Sequence, residues 1–162
     1  MRSSRCLLLL QSLLALVVAF GLPLPARADD AARAPRVALL PSYQQECAAC
    51  HLAYPPGMLP AASWTRLMDK LPRHFGTDAS LDPATVRELS IWLGTNAGGD
   101  RRGRAPPPED RITRSAWFVH EHGELPPAVW KRAAVKSPAN CMACHTQADK
   151  GVFDEHTVRI PR

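Results

Sequence analysis

The sequence lacks the cysteine arrangement of a disulfide framework. Five occur in 162 residues, and Cys6 lies in an N-terminal segment with the layout of a secretory signal. The other four form two pairs, each with only two residues between its members and a histidine directly after it. No cysteine is left over. A disulfide-stapled exported domain, the usual explanation of paired cysteines in such a chain, is therefore not indicated.

A persuasive strand pattern is also absent, because nowhere do apolar and polar residues alternate clearly over the length of a strand. Apolar residues recur at helical spacing instead, most clearly at Trp64, Leu67, Met68 and Leu71. We therefore predict an all-α fold.

Residues 1–28 have the three parts of a secretory signal peptide. Arg2 and Arg5 give a basic start, residues 7–22 are an almost unbroken apolar run, and Ala28 ends a small-residue cleavage motif. We predict cleavage after about Ala28 and export to the periplasm. An uncleaved anchor is the alternative, because the apolar run is long enough for a spanning helix. Two prolines just before the cleavage motif argue against the anchor.

The two cysteine pairs with their histidines have the pattern of c-type haem attachment. Two thiols one helical turn apart reach the two vinyl groups of one porphyrin and form thioethers, and the next histidine lies under the iron. Zinc and dithiol redox sites share the cysteine spacing, but two complete copies with no spare cysteine argue against both. The sequence predicts two covalently bound haems with their irons on these residues: Cys47, Cys50 and His51, and Cys141, Cys144 and His145.

The charge of the chain gives no support for a nucleic-acid partner. Its formal net charge is +5, but three arginines lie in the signal segment and the haem propionates would offset the rest. We interpret the basic cluster at Arg101–Arg104 as part of a solvated linker.

Glycine, proline and arginine are concentrated in residues 94–110, which we interpret as a linker or long loop. This segment divides the mature chain into an N-terminal haem domain at 36–95, a linker at 96–109 and a C-terminal haem domain at 110–162. The attachment motif is near the start of the first domain and late in the second. We therefore expect the two haems to be wrapped differently.

Three helices are predicted in the first domain. One spans 43–53, carries the first attachment motif and is ended by the prolines that follow it. Another is capped by Ser63 and buries the apolar stripe named above. The third begins at Asp82–Pro83 and has Gly94 just past its end. In the second domain, Ser137–Pro138 predicts a helix that leads into the second attachment motif.

The ligand on the far side of each iron decides between an electron carrier and an enzyme. In the first domain the candidates are His74, Met58 and Met68. Met68 is better explained as a core residue of the apolar stripe, and Met58 lies in a proline-rich turn close to the motif. His74 lies just beyond the second helix, where Pro72 and Gly76 let the backbone turn its imidazole inward.

In the second domain His120 and His122 lie in an aromatic segment that suits a porphyrin face. They point about 200° apart on a helix, so they do not easily serve the same iron. One can ligate while the other faces solvent, binds a propionate or reaches across to the first haem. His156 could also fold back, whereas Met142 is a poor candidate inside the attachment motif.

Longer strings of residues are more specific than the attachment motifs and cover nearly the whole mature sequence. They are residues 46–57, 59–64, 74–76, 117–118, 121–122, 137–145, 153–155 and 158–161. On these strings the chain resembles the small dihaem cytochromes c, called DHC, of photosynthetic and other proteobacteria. The resemblance implies a class I cytochrome c-like N-terminal domain, a small, less regular C-terminal domain and two histidines on each iron. It matches His74 and His122 to the distal positions.

The resemblance also implies an electron carrier and not an enzyme. An iron with two imidazoles is six-coordinate and low-spin, so it offers no position to oxygen, peroxide or nitrite. The family setting is a periplasmic relay of a monomeric protein, with a membrane cytochrome b of the b561 type as donor and the sphaeroides haem protein as acceptor. The rival functions are a small dihaem enzyme of peroxidase type and an electron-transfer subunit of a periplasmic reductase.

We predict that the mature protein gains the mass of two haems, because the two complete motifs supply four thioether bonds. Intact-mass spectrometry of periplasmic protein measures this gain. Treatment with a reductant should leave the mass unchanged, since thioethers are not reduced as disulfides are. If the mass increases by only one haem, or returns to the apoprotein mass after reduction, one of the two motifs does not attach haem.

Overall fold

A computed structural model describes residues 37–98 and 105–162, so the predicted signal peptide and the centre of the predicted linker lie outside the described residues. The prediction of an all-α fold is confirmed, since both described segments are helical and contain no strand. No helix within them is long and apolar enough to cross a membrane. The α-helices are α1 (Pro41–Cys47), α2 (Ala61–Met68), α3 (Pro83–Asn96), α4 (Ala116–Glu121) and α5 (Pro127–Trp130).

Short 3-10 turns join these helices, and several of them carry chemistry-bearing residues. Such turns satisfy backbone groups in stretches where prolines and glycines interrupt a longer helix. They are Pro56–Met58, Leu71–Arg73, Pro108–Asp110, Ile112–Arg114, Cys141–Ala143, Ala148–Lys150 and Glu155–Thr157.

The start of α3 is the one predicted. The Asp82 carboxylate accepts hydrogen bonds from the backbone N–H groups of Ala84 and Thr85, and a proline follows it at the first helical position. The predicted end was wrong, because α3 continues through Gly94 to Asn96. Glycine in a helix costs only about 1 kcal/mol relative to alanine, and the adjacent Leu93 is buried in the core.

Helix α1 is shorter than the predicted 43–53 helix and carries only the first cysteine of the motif. After Cys47 the chain turns, and the N–H groups of Cys50 and His51 both lie 3.4 Å from the Cys47 carbonyl. Residues 52–55 then have no regular secondary structure. Two prolines explain this, because a residue before proline is driven out of the helical region.

Helix α2 begins at Ala61, two residues before the predicted cap. Ser63 is fully buried within the helix and caps nothing, which corrects the prediction. Pro60, in an extended conformation, ends the preceding chain and sets the helix start instead. Of the predicted apolar stripe, Trp64 and Met68 are buried on this helix, Leu71 is buried just beyond it and Leu67 is partly buried. The Trp64 indole N–H donates to the Pro56 carbonyl at 2.7 Å.

The helix predicted from Ser137–Pro138 does not form. The Ser137 hydroxyl accepts a hydrogen bond from the Ala139 N–H at 3.2 Å, a local bond that competes with helix formation. Lys136, with φ at 67°, already turns the chain in the left-handed region. Only the 3-10 turn Cys141–Ala143 precedes His145, the histidine of the second attachment motif.

The hydrophobic core of the described chain comes from the first half. It is formed where α2 packs on α3 and α3 also packs against α1. Residues 35–162 form one compact unit, and the division into two haem domains stays a prediction. The buried core residues are Tyr43, Ala53, Leu59, Trp64, Met68, Leu71, Leu89 and Leu93.

We predict that Leu89→Ala lowers the free energy of unfolding by about 2–5 kcal/mol, because it leaves a cavity in the centre of this core. Leu89 is 0% exposed. Ile91 lies on the same helix, is 71% exposed and provides the matched control. Ile91→Ala should change the same free energy by no more than about 0.5 kcal/mol. Guanidinium unfolding of the holoprotein measures both, and equal losses would contradict the assigned core.

Candidate haem-binding sites

The first histidine pair joins the turn after α1 to the turn after α2. The ring centroids of His51 and His74 are 6.1 Å apart, with 21° between the ring planes. His74 is held by its N–H bond to the Leu71 carbonyl and by an antiparallel bridge to Thr77. Between His74 and Thr77 the chain reverses direction through Phe75 and Gly76, whose φ values are 50° and 98°. Glycine takes the second of these conformations without strain.

The second pair joins the end of α4 to the turn after the second attachment motif. His122 and His145 have ring centroids 6.1 Å apart and ring planes at 71°. The Ser115 hydroxyl caps α4, which places His122 just past the last helical residue. His145 is held by an antiparallel bridge to Val158.

Both separations fit a haem iron between the rings. Two imidazoles that bind one metal at about 2 Å each have ring centres about 6 Å apart. Burial, followed by the neighbouring imidazole, lowers the pKa of His74 and of His145. Both rings are therefore biased to the neutral form, which carries the lone pair that a metal binds.

Comparison with known proteins supports the same chemistry. The profile of the family DHC, dihaem cytochrome c, matches residues 43–153. The chain belongs to this family. Like its other members, it carries two covalently bound c-type haems.

Solved dihaem cytochromes c share the fold. One from Rhodobacter sphaeroides is 44% identical, with a TM-score of 0.63, over 72% of this chain and 99% of that one. A second structure from that organism is 42% identical, with a TM-score of 0.65, over 72% and 98%. One from Shewanella baltica is 37% identical, with a TM-score of 0.66, over 75% and 92%. No protein with curated annotation matches the chain.

The cysteines of this DHC chain lie beside the histidine pairs and form no disulfide within the described residues. Burial, with a smaller effect from Glu46, raises the pKa of Cys47 to about 11. Burial also raises the pKa of Cys141 and that of Cys144. A dithiol redox site needs the opposite shift, toward thiolate. Residues 37–98 and 105–162 contain no group of three or more His, Cys, Asp or Glu that could hold a metal ion, so a zinc site is not indicated there.

One histidine of each pair is fixed by a hydrogen bond from its other ring nitrogen. His51 Nδ1 lies 2.7 Å from the Leu52 carbonyl, and His122 Nδ1 lies 2.9 Å from the Phe118 carbonyl. A carbonyl only accepts, so each Nδ1 carries the proton and Nε2 keeps its lone pair for a metal. Such a bond also makes the imidazole a stronger ligand.

Aromatic rings flank both pairs, and of these only Phe118 belongs to the aromatic segment that the sequence related to a porphyrin face. Tyr54 stacks on His51 at 5.0 Å and 24°, and Phe118 stacks on His122 at 4.0 Å and 19°. Phe153 lies 5.3 Å from the ring of His145. The positions of Tyr54 and Phe153 in the sequence do not distinguish them from aromatic residues that face away from a haem.

The remaining candidates lie outside the two pairs. His120 and His156 are exposed. Met68 is buried in the core, where the sequence suggested it would be, and Met142 is 49% exposed. Each pair forms within its own half of the chain, so the geometry does not favour an arrangement in which a histidine of one half binds the haem of the other.

Proposed function

We propose that the protein is an exported electron carrier in which each iron is bound by two histidines. His51 and His74 would bind one iron, and His122 and His145 the other. The main support is the separation of the ring centroids, which is 6.1 Å in both pairs. One iron between two imidazoles needs this separation.

Haem iron supplies one-electron exchange between its ferric and ferrous states. The residues around it decide what else it can do. Held by two histidine nitrogens, each iron would have no position left for a substrate. The hydrogen bonds from Nδ1 of His51 and of His122 hold these ligands in the binding tautomer. Such a site passes electrons, and its two imidazoles hold the potential toward the reducing side for c-type haems.

The cellular setting belongs to the same proposal. The signal-like segment and family membership support a periplasmic relay between a membrane cytochrome b of the b561 type and a small soluble haem protein, such as the sphaeroides haem protein. The protein would work as a monomer that touches the membrane partner only at its surface. Stopped-flow mixing of the reduced protein with the purified soluble partner tests the relay, because electron transfer should be fast and second-order.

We predict two different low-spin EPR signals from the oxidised protein. Nearly parallel imidazole planes, as at 21°, split the iron orbitals that receive ligand π density, whereas planes near 71° leave them almost equal in energy. The first haem should therefore give a rhombic spectrum, and the second a signal with a larger highest g value. Two identical rhombic signals would contradict the assigned ligand planes.

We also predict that the wild-type protein binds no carbon monoxide when reduced and that single ligand variants do. His74→Ala should open the first iron and His122→Ala the second, each giving one high-spin haem and one equivalent of bound carbon monoxide. Absorption spectroscopy and a carbon monoxide titration measure both. The high-spin haem should be the N-terminal one in His74→Ala, as the surviving EPR signal identifies.

His120→Ala and His156→Ala are matched controls, since both histidines are exposed. Both variants should stay fully low-spin and bind no carbon monoxide. Rapid carbon monoxide binding by the wild-type protein would contradict the proposal. If both haems remain six-coordinate in His74→Ala, a residue other than His74 is the ligand.

A further inference from the structure

A cavity of about 210 Å³ opens at the surface beside His74. One of its sides comes from the end of α2 and the turn that follows this helix. The other side comes from the 3-10 turn Pro108–Asp110. The imidazole of His74 itself belongs to the lining. The cavity therefore lies against a proposed ligand of the first iron, and whatever fills it comes close to that haem.

Both carboxylates at this cavity are already paired with arginines. Arg66 binds the Asp110 carboxylate through two nitrogens, with Nε at 2.9 Å and Nη2 at 2.5 Å. Arg111 donates to Glu109 at 3.0 Å, and Arg114 pairs with the same carboxylate. The negative charge at the cavity is therefore matched by cations of its own surroundings.

Two further cations, Lys70 and Arg73, line the same cavity and are exposed. Neither forms a salt bridge with any residue in 37–98 or 105–162. Together with the three paired arginines they make five cationic side chains against two carboxylates, an excess of three positive charges. Such a local excess attracts anionic partners and speeds their association.

Phe75 adds an exposed aromatic ring to the same surface. It is 45% exposed, its ring centroid lies 4.9 Å from that of His74, and the Arg111 guanidinium lies over it at 4.3 Å. Its φ of 50° is one that a bulky residue rarely adopts and that costs free energy. Glu109 and Asp110, at the other side of the cavity, share this left-handed conformation. Burial does not explain a strained and exposed phenylalanine, and strained residues cluster at functional sites.

We propose that Lys70, Arg73, Phe75 and Arg111, called the basic face, dock the acidic surface of a soluble electron-transfer protein. The inference rests on the proposed function, because docking there serves electron exchange with the iron that His74 binds. One electron leaves the ferrous first haem and reduces the oxidised metal of the docked acceptor, and no proton moves. A carboxylate of the acceptor would enter the cavity and pair with the two free cations. The apolar rim of its contact surface would lie on the phenylalanine ring.

An anionic membrane is the competing partner for a basic surface. A lipid surface is flat and presents many negative charges at once, so it would bring phosphates close to the carboxylates of Glu109 and Asp110. The acidic surface of a protein presents separate side chains, which can pair with the cations and avoid these two residues. A concave site also suits one inserted side chain. The arrangement of charge therefore favours a protein partner.

The test mixes the reduced holoprotein with oxidised plant plastocyanin, an acidic blue-copper protein that accepts one electron. Stopped-flow absorption gives the second-order rate constant at low and at high ionic strength. We expect Lys70→Glu to lower this constant about ten-fold at low ionic strength and to have little effect at high ionic strength, because salt screens the attraction. Both haems should stay low-spin in the variant, since Lys70 is exposed and binds no iron.

Arg87→Glu is the matched control. It makes the same change of charge at an exposed residue of α3 that does not line the cavity, so the rate constant should fall less than about two-fold. Mitochondrial cytochrome c, a basic acceptor of one electron, tests the sign of the interaction. With this acceptor Lys70→Glu should leave the rate constant unchanged or raise it, because the basic face repels a basic protein.

Docking has a readout that does not depend on electron transfer. When both proteins are reduced, plastocyanin should shift the amide NMR signals of Lys70, Phe75 and Arg111 in the ¹⁵N-labelled protein. The signal of Met142, which is 49% exposed inside the second attachment motif, should stay in place. Shifts around Met142 with none on the basic face would overturn the proposal.

Four kinetic outcomes would also overturn it. A wild-type rate constant in Lys70→Glu is the first, and equal slowing in Lys70→Glu and Arg87→Glu is the second, since overall charge would then explain the effect. A changed potential of the first haem with an unchanged rate constant would assign Lys70 to the haem propionates. Loss of binding to phosphatidylglycerol vesicles with an unchanged rate constant would assign the basic face to a membrane. Failure of the proposed function would appear differently, as carbon monoxide binding by the wild-type protein.

Discussion

Two imidazole rings that share one metal must face each other at a separation of about 6 Å, and this distance governs how the chain is laid out. With the irons bound as proposed, this separation is needed twice, each time between residues from two separate turns. In the first half the chain reverses directly after His74 through the left-handed Phe75 and Gly76. In the second half α4 ends at Glu121, so that His122 lies just past its end.

The two halves meet this requirement by different means. The first half has a hydrophobic core of its own, in which α2 and α3 support both turns that carry the histidines. The second half has shorter helices and smaller buried side chains, such as Val129 and Val135. Backbone bonds replace part of the missing core: the Arg159 N–H bonds to the Cys144 carbonyl at 2.8 Å. A porphyrin packed there supplies apolar surface that this half does not make from its own residues.

The sequence predicted well whatever depended on local chemistry. The attachment motifs, the capped start of α3 at Asp82–Pro83 and the apolar stripe of α2 all followed from residues close together in the chain. Predictions that needed tertiary context did less well. The helix expected at 43–53 ends at Cys47, and Ser63 is buried within α2 instead of capping it. The hydrogen bond from the Tyr54 hydroxyl to the Ala139 carbonyl joins residues 85 positions apart, so no local pattern could indicate it.

The paired histidines are separated by the same number of residues in both halves, although the order is reversed: His74 follows its attachment motif and His122 precedes its own. With the irons bound as proposed, each metal closes a loop of equal length in a chain whose described cysteines form no disulfide. A link that closes a loop of roughly this size stabilises a fold by about 3 kcal/mol, chiefly by restricting the unfolded chain. The irons would therefore act as two cross-links. Release of a single histidine would relax the denatured ensemble as reduction of a disulfide does.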